Sequence, residues 1–255
     1  MMPRALLLLV FWVFFAVPCV FASTAESVLR VAYVDFPPFH SRDENGHLRG
    51  LLYDIVTEAV QKRLGVPLVW EPGPWARCQE RVERGQADAM ITVPTAERAR
   101  YTVTHKTPLY LKTHVLFTYA GHPRLERILA LGGIEDIRAA GFRVITYVGN
   151  GWSRTHLAGA GVEVLEAPSR DAVWRMLAAR RGDLVAECPV AACMTLRGLV
   201  PEGAVVQTPV VLETLPFHLL VGKNSPLASF LPQLSDILRA MHVDGSMERI
   251  LSSYR

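Results

Sequence analysis

The chain has 255 residues, of which 50% are apolar, enough for one large domain or two small ones with a proper core. No stretch is low in complexity, which excludes a disordered chain. The formal net charge is only +3 and no long basic run occurs, which excludes nucleic acid as an electrostatically bound partner.

The N-terminus carries a positive Arg4, an apolar stretch over 5–17, and small residues at Val20 and Ala22 where signal peptidase reads. Residues 1–22 are therefore read as a secretory signal cleaved after Ala22; the stretch is short for a membrane span, and an uncleaved anchor is the alternative. A lipoprotein signal at Cys19 is disfavoured by Pro18. No second apolar span follows, so the mature chain is expected in the periplasm. Cleavage removes Arg4 and no acid, taking the formal charge from +3 to +2, and leaves Cys78, Cys188 and Cys193. An odd number allows at most one disulfide. Cys188 and Cys193 are the near pair, but five residues apart on one helix is poor bridging geometry, so three free thiols is the other reading. No tight Cys/His spacing is present, and neither a metal nor a cofactor is expected.

Strand-like and helix-like segments then alternate. A β-branched strand spans 29–34. A helix spans 51–64, with Leu51, Leu52, Ile55, Val56, Ala59 and Val60 on the helical period and Gly65 ending it. A strand at 67–70 precedes a helix whose face is Trp75, Cys78 and Val82, stopped at Gly85, and a third strand covers 87–92. This βαβαβ order predicts a parallel sheet with right-handed crossovers. The order repeats. A strand at 142–148 leads through Gly149-Asn150-Gly151 to a helix from Ser153. A strand at 162–165 precedes a helix capped by Ser169 that carries Val173, Met176 and Leu177. A strand at 183–186 then leads to a helix from Val190. The C-terminal region is helical. Ser225-Pro226 reads as a cap and first turn. The stripe from Leu227 to Met241 is interrupted by Pro232, which predicts a kink or split. Asp244 is expected to cap a last helix with Met247, Ile250 and Leu251. The runs 114–119 and 218–221 bracket the second unit and are read as crossings between two lobes of about 100 residues each.

Several segments together resemble one family. They are Val31-Ala32-Tyr33 with Phe36-Pro37-Pro38-Phe39, Gly46 and Gly50 before Tyr53-Asp54, and Trp75 with Gly85-Gln86-Ala87-Asp88-Ala89. Thr95-Ala96-Glu97-Arg98 and Asp244-Gly245 with Ile250 and Tyr254 complete the set. In order and spacing they resemble the family-3 periplasmic solute-binding proteins of polar amino-acid uptake, over nearly all of the mature chain. The resemblance implies an α/β, type II periplasmic binding protein fold, with two α/β lobes joined by two crossing strands. Lobe one takes 23–115 and 213–255, lobe two takes 116–212, and a ligand lies in the cleft.

The resemblance also assigns roles. Arg98 corresponds to the arginine that grips the ligand carboxylate, a planar fork suited to that anion. Phe36, Phe39 and Trp75 are read either as cleft walls or as core. Asp35 lies in the same strand-to-helix loop, where α/β ligands sit. Asn150, Gly151, Trp152 and Ser153 form the matching loop of lobe two, read either as an anion-holding turn or as a bare strand-helix turn. The family's ammonium-binding aspartate falls at Cys188, with Glu187 as neighbour and possible substitute, although adjacent strand residues face opposite sides. The segment between Asp88 and Arg98 is short for the family, which either removes a serine-type contact or moves it to Thr92.

The expected function is capture of a small polar, carboxylate-bearing ligand, an amino acid or a relative, by a monomer that docks on an inner-membrane ABC permease. The chain is read as a binder and not an enzyme. Glu187, Asp35 and His218 are the evident acid-base candidates, and none forms a dyad. The alternatives are an enzyme on this scaffold, similar to cyclohexadienyl dehydratase, and a ligand-sensing subunit of a membrane receptor.

Overall fold

The computed structural model describes residues 28–254, so the leader read at 1–22 lies outside the described residues. β1 (Leu29–Tyr33) is followed by a small antiparallel pair, β2 (Ser41–Arg42) and β3 (Leu48–Arg49). α1 (Leu51–Val56) continues into a π-helical segment at Thr57–Arg63, so the expected helix exists with its second half widened. Its six periodic apolar residues are all buried, which is why the period is visible in the sequence. Gly50 opens this helix at φ 131°, and a Cβ there would sit 2.5 Å from the Phe39 carbonyl carbon. Only glycine lets the helix start so close to the preceding loop.

β4 (Leu68–Pro72), α2 (Trp75–Glu83) and β5 (Ala89–Thr92) complete the first unit. β1 lies between β4 and β5 and is parallel to both. Alternate residues of β1 face opposite layers. Val31 packs into the cluster under α1, and Ala32 into a smaller one under α2 with Cys78 and Val82. A parallel sheet buried on both faces reads as a nearly continuous apolar run, as this one does.

β6 (Thr102–Thr104) precedes β7 (Tyr110–Tyr119), which leads into lobe two. That lobe contains α3 (Leu125–Leu129), α4 (Ile134–Ala139), β8 (Val144–Tyr147), α5 (Gly151–His156) and β9 (Val164–Ala167). α6 (Arg170–Ala178), β10 (Val185–Glu187) and α7 (Pro189–Leu196) follow. β8 is parallel to β9 and is bridged on its other side by Val144 to Leu184. The Ser169 hydroxyl caps α6 by accepting from the Ala172 amide at 3.2 Å, as the sequence predicts.

β11 (Val205–Gly222) returns along β7, pairing from Val205 opposite Tyr119 to Phe217 opposite Tyr110. Its far end pairs with β5 and β6. The expected crossings need moving. Residues 218–221 belong to the lobe-one sheet through β5, and 115–117 belong to lobe two through β10. The stretch between the lobes is 110–114 beside 213–217. It was hidden because two long strands passing through both sheets show no break in pattern.

After Ser225, whose hydroxyl accepts from the Leu227 amide, a 3₁₀ turn at Pro226–Phe230 gives way to α8 (Leu231–Val243). Pro232 falls in the first turn of α8, where its missing N–H is harmless, so it splits the stripe as expected. α9 (Ser246–Ser252) has Gly245 as its cap, at φ 74°, in place of the expected Asp244. Asp244 stands one residue earlier, where its carboxylate still accepts from the Ser246 amide at 2.9 Å. Leu231, Leu234, Leu238 and Met241 close the lobe-one core.

Candidate functional site

The C-terminal ends of β1 and β5 place the lobe-one wall. Trp75 is the first residue of α2, and Arg98 begins a 3₁₀ turn at Arg98–Arg100. The Arg98 amide donates to the Thr95 hydroxyl at 3.2 Å, which sets the turn. The Arg98 side chain is clamped by uncharged groups. Its Nε donates to Gln79 Oε1 at 3.1 Å and its Nη1 to the Val93 carbonyl at 2.9 Å, while the guanidinium lies 5.4 Å from the Trp75 ring centre. Among the described residues no carboxylate pairs with it. Thr92 ends β5 opposite His218.

Phe36 is half-buried and stacks on Phe39 at 4.8 Å and on Phe217 at 6.2 Å. Phe39 is only 1% exposed and belongs to the lobe-one core, so of the two rings Phe36 is the more exposed. Asp35 is exposed, and its carboxylate accepts from the Arg42 amide at 3.2 Å.

The crossing strands form a floor. Tyr110, Lys112 and His114 lie on one face of β7, opposite Phe217, Leu215 and Glu213 of β11. Lys112 and His114 are buried, at 8% and 6% exposure. Lys112 Nζ donates to His114 Nε2 at 2.8 Å, which leaves the His114 proton on Nδ1, 3.7 Å from Glu213 Oε2. Burial lowers the Lys112 pKa, and the Glu187 charge opposes that shift. Burial, with Lys112 and His156 adding to it, pushes His114 down to about 3, so the ring is neutral.

Lobe two contains the loop that opens α5, together with Glu187 and Arg170. The Asn150 side chain caps α5, accepting from the Ser153 amide at 3.2 Å, and donates to Thr146 Oγ1 at 2.9 Å. Trp152 stacks on His114 at 4.1 Å and donates its indole N–H to Glu213 at 2.5 Å, tying this loop to the floor. Gly151 is exposed and Ser153 is buried. Glu187 is half-buried, and its Oε1 accepts from the Cys188 amide at 2.8 Å. Arg170, at the start of α6, donates to Tyr147 Oη at 3.0 Å and lies 4.7 Å from that ring centre. Thr146, Tyr147, Asn150, Arg170 and Glu187 line one small pocket. A groove of about 490 Å³ joins Arg170 and Asp171 to Pro37, Pro38 and Arg49 of lobe one. Cys78, Cys188 and Cys193 are all free thiols, and Cys188 lies 3.5 Å from Tyr110 Oη.

The structure brings Trp75 to Arg98 and places Asn150 and Glu187 in one pocket, while Phe36 lies against Phe39 and Phe217, and Trp152 against His114 and Glu213. Lys112, His114, Glu213 and Arg170, which adjoin these groups, are not among the candidates read from the sequence. One signal was present: Lys112 and His114 are two residues apart within an otherwise apolar strand, which puts both on one face.

A search of curated proteins gives no match. Solved structures match over most of their length. An ancestral arginine-binding protein bound to arginine is 23% identical, with a TM-score of 0.60 and coverage of 89% of this chain and 98% of that one. The extracellular-binding protein ytmK of a probable amino-acid ABC transporter from Bacillus subtilis is 16% identical, with a TM-score of 0.66 and coverage of 89% and 97%. Substrate-binding domain 2 of Lactococcus lactis GlnP, in an open conformation, is 17% identical, with a TM-score of 0.64 and coverage of 90% and 96%. At these identities the likeness establishes the fold, that of the type II periplasmic binding proteins. No helix among the described residues is long and apolar enough to cross a membrane. The model of the bacterial extracellular solute-binding proteins, family 3, matches residues 29–255, and the chain belongs to that family.

Proposed function

We propose that this protein captures a small polar, carboxylate-bearing solute between its lobes in the periplasm and delivers it, unchanged, to an ABC-type permease. In this reading the protein is a monomer, its lobes divide near residues 115/116 and 212/213, and residues 1–22 are its cleaved leader. The observation that carries the reading is Arg98. Its guanidinium is immobilised by Gln79, Val93 and Trp75, yet no described carboxylate neutralises it. An oriented, uncompensated guanidinium is a receptor for a carboxylate from outside the chain. Contacts from Arg98 on one wall and from lobe two on the other would stabilise the closed arrangement, and that differential contact is what couples binding to closure. The likeness to the extracellular-binding protein of a probable amino-acid ABC transporter supports the permease as partner.

The test is a thermal-shift screen of the mature chain against amino acids, small carboxylates and amines. A carboxylate should raise the melting temperature and be recovered intact. Arg98→Ala should weaken binding about 100-fold or more, the loss of a bidentate charge-assisted pair. Binding that is unchanged in that variant removes Arg98 from the site, and chemical turnover of the recovered compound overturns capture without chemistry.

A further inference from the structure

α7 is apolar almost all the way round. From Pro189 to Leu196 it carries no charge and a single hydroxyl, that of Thr195. A helix with that pattern needs cover on more than one side. The structure covers it twice. Ala192 and Leu196 are four residues apart, share a face, and belong to the lobe-two cluster with Trp174 and Val185. Val190 and Ala191 turn the other way. They are 5% and 4% exposed, and with Cys188 they belong to the lobe-one cluster that contains Phe39, Leu51 and Leu109. Phe36, Tyr110 and Phe217 pack against the same cluster. Met194 shares the face of Val190, and it lines the groove opposite Pro37 and Pro38 of lobe one.

Cys188 marks the seam. It is fully buried, and its sulfur lies 3.5 Å from Tyr110 Oη on the crossing strand β7. The crossing strands join the lobes by backbone pairing at 110–114 and 213–217. The contact made by α7 is separate from that pairing and is apolar. Apolar surfaces that meet across the lobes favour the closed arrangement whether or not a solute is present. A solute then adds to an equilibrium that the chain has already shifted.

We infer that the outer face of α7, with Cys188, Val190 and Ala191, is a latch that holds lobe two against lobe one in the solute-free chain. The latch goes beyond capture through Arg98 and does not depend on it. Opening must part this seam, so Cys188 is uncovered each time the lobes separate.

Alkylation of the mature chain with N-ethylmaleimide, read cysteine by cysteine by peptide mass mapping, tests it. The chain is first refolded from urea to remove any bound solute. Cys78 is fully buried in the separate lobe-one cluster under α2, and Cys193 is partly exposed, so each serves as a reference. Cys193 should react first, with Cys188 protected. Val190→Asp places an acid in the first turn of α7, where a helix favours it, but sets a carboxylate in the apolar seam. It should speed alkylation of Cys188 about tenfold or more, the worth of one buried valine, and leave Cys78 slow. The radius of gyration from small-angle scattering should rise. Ala191→Gln, which adds bulk without charge, should act in the same direction, and circular dichroism should show both variants folded. Cys188 reacting as fast as Cys193 in the unaltered chain would mean that the lobes stand apart without solute. A Cys188 rate unchanged in both variants, or Cys188 and Cys78 speeding together, would mean that α7 is an ordinary part of one core. Each of these results overturns the latch and leaves capture through Arg98 standing.

Discussion

Lobes one and two repeat the same βαβαβ order, yet they use their polar groups differently. In lobe one the proposed recognition group, Arg98, is held in place by the chain itself. Gln79, Val93 and Trp75 hold Arg98 in place and leave its charge open. In lobe two the corresponding loop satisfies itself, because Asn150 caps its own helix and Trp152 reaches back to Glu213. The cores differ as well. Both pack a cluster on each face of the sheet, but lobe one receives α8 and α9 from the far end of the chain, while the clusters of lobe two draw only on residues between 115 and 212.

The largest expected effect probes whether the lobes are energetically one body. Leu234 in lobe one and Leu177 in lobe two are both fully buried. Truncating either to alanine should cost about 2–5 kcal/mol, the loss of transfer energy plus a cavity. β7 and β11 run through both sheets, so each variant should still unfold in a single transition, seen alike by circular dichroism and tryptophan fluorescence. Two separated transitions would show that the lobes fold independently despite the shared strands.

Histidines give the next effect, and they mark lobe one and the floor. Burial lowers both His40 and His105 to about 4, from an ordinary value near 6.5. His105 Nε2 accepts from the Leu219 amide at 3.0 Å in β11, so protonation breaks a bond in the strand that crosses the lobes. The unfolded chain binds these protons first, so stability is full above pH 6.5 and falls as the pH drops from 6.5 towards 4. His105 alone accounts for a loss on the order of 3 kcal/mol over that window. Urea titrations at several pH values should show the slope, and His105→Gln should flatten it. A slope unchanged in that variant would place the acid sensitivity elsewhere.

A smaller effect concerns the lobe-two tie. Trp152→Phe keeps the stacking on His114 but leaves the Glu213 carboxylate without its N–H donor. Glu213 is 30% exposed, so water replaces part of the loss and the cost should be about 1 kcal/mol. Hydrogen exchange should speed up in α5 and not in lobe one. Faster exchange in both would mean that the tie steadies the whole hinge.

The periodic parts of the fold were legible because burial and period coincide. The stripe of α1, the cap at Ser169 and the split at Pro232 all follow from local chemistry that a one-dimensional reading captures. The crossing strands were not legible, since 110–114 and 213–217 look like any other strand until their partners are known. The site divided along the same line. Arg98 was singled out by its local motif, and the structure adds its partners, Gln79, Val93 and Trp75. Arg170 looked like a surface arginine after a helix cap, and only tertiary packing brings it to Tyr147 and the groove. Phe39 and Phe36 were indistinguishable as residues three apart, and their different burial follows from the approach of α1 to the loop at Gly50.

The smallest effect separates two kinds of ion pair, one in each lobe. In lobe one Arg63 is a quarter exposed and joins three groups, Glu58 at 3.1 Å, Asp244 at 2.7 Å and the Ser246 hydroxyl at 2.7 Å. It fastens the end of the first helix to the start of α9, so its loss should loosen a contact between segments remote in sequence. In lobe two Arg138 pairs with Glu135 one turn away, and both side chains are more than half exposed. Such a pair gains little, because water screens the charges and two long side chains must be held still. Arg138→Ala should therefore change stability by no more than about 0.5 kcal/mol, while Arg63→Ala should cost about 1 kcal/mol or more. Equal effects would mean that the Arg63 network adds nothing beyond its separate surface pairs, and that packing alone holds α9 on lobe one.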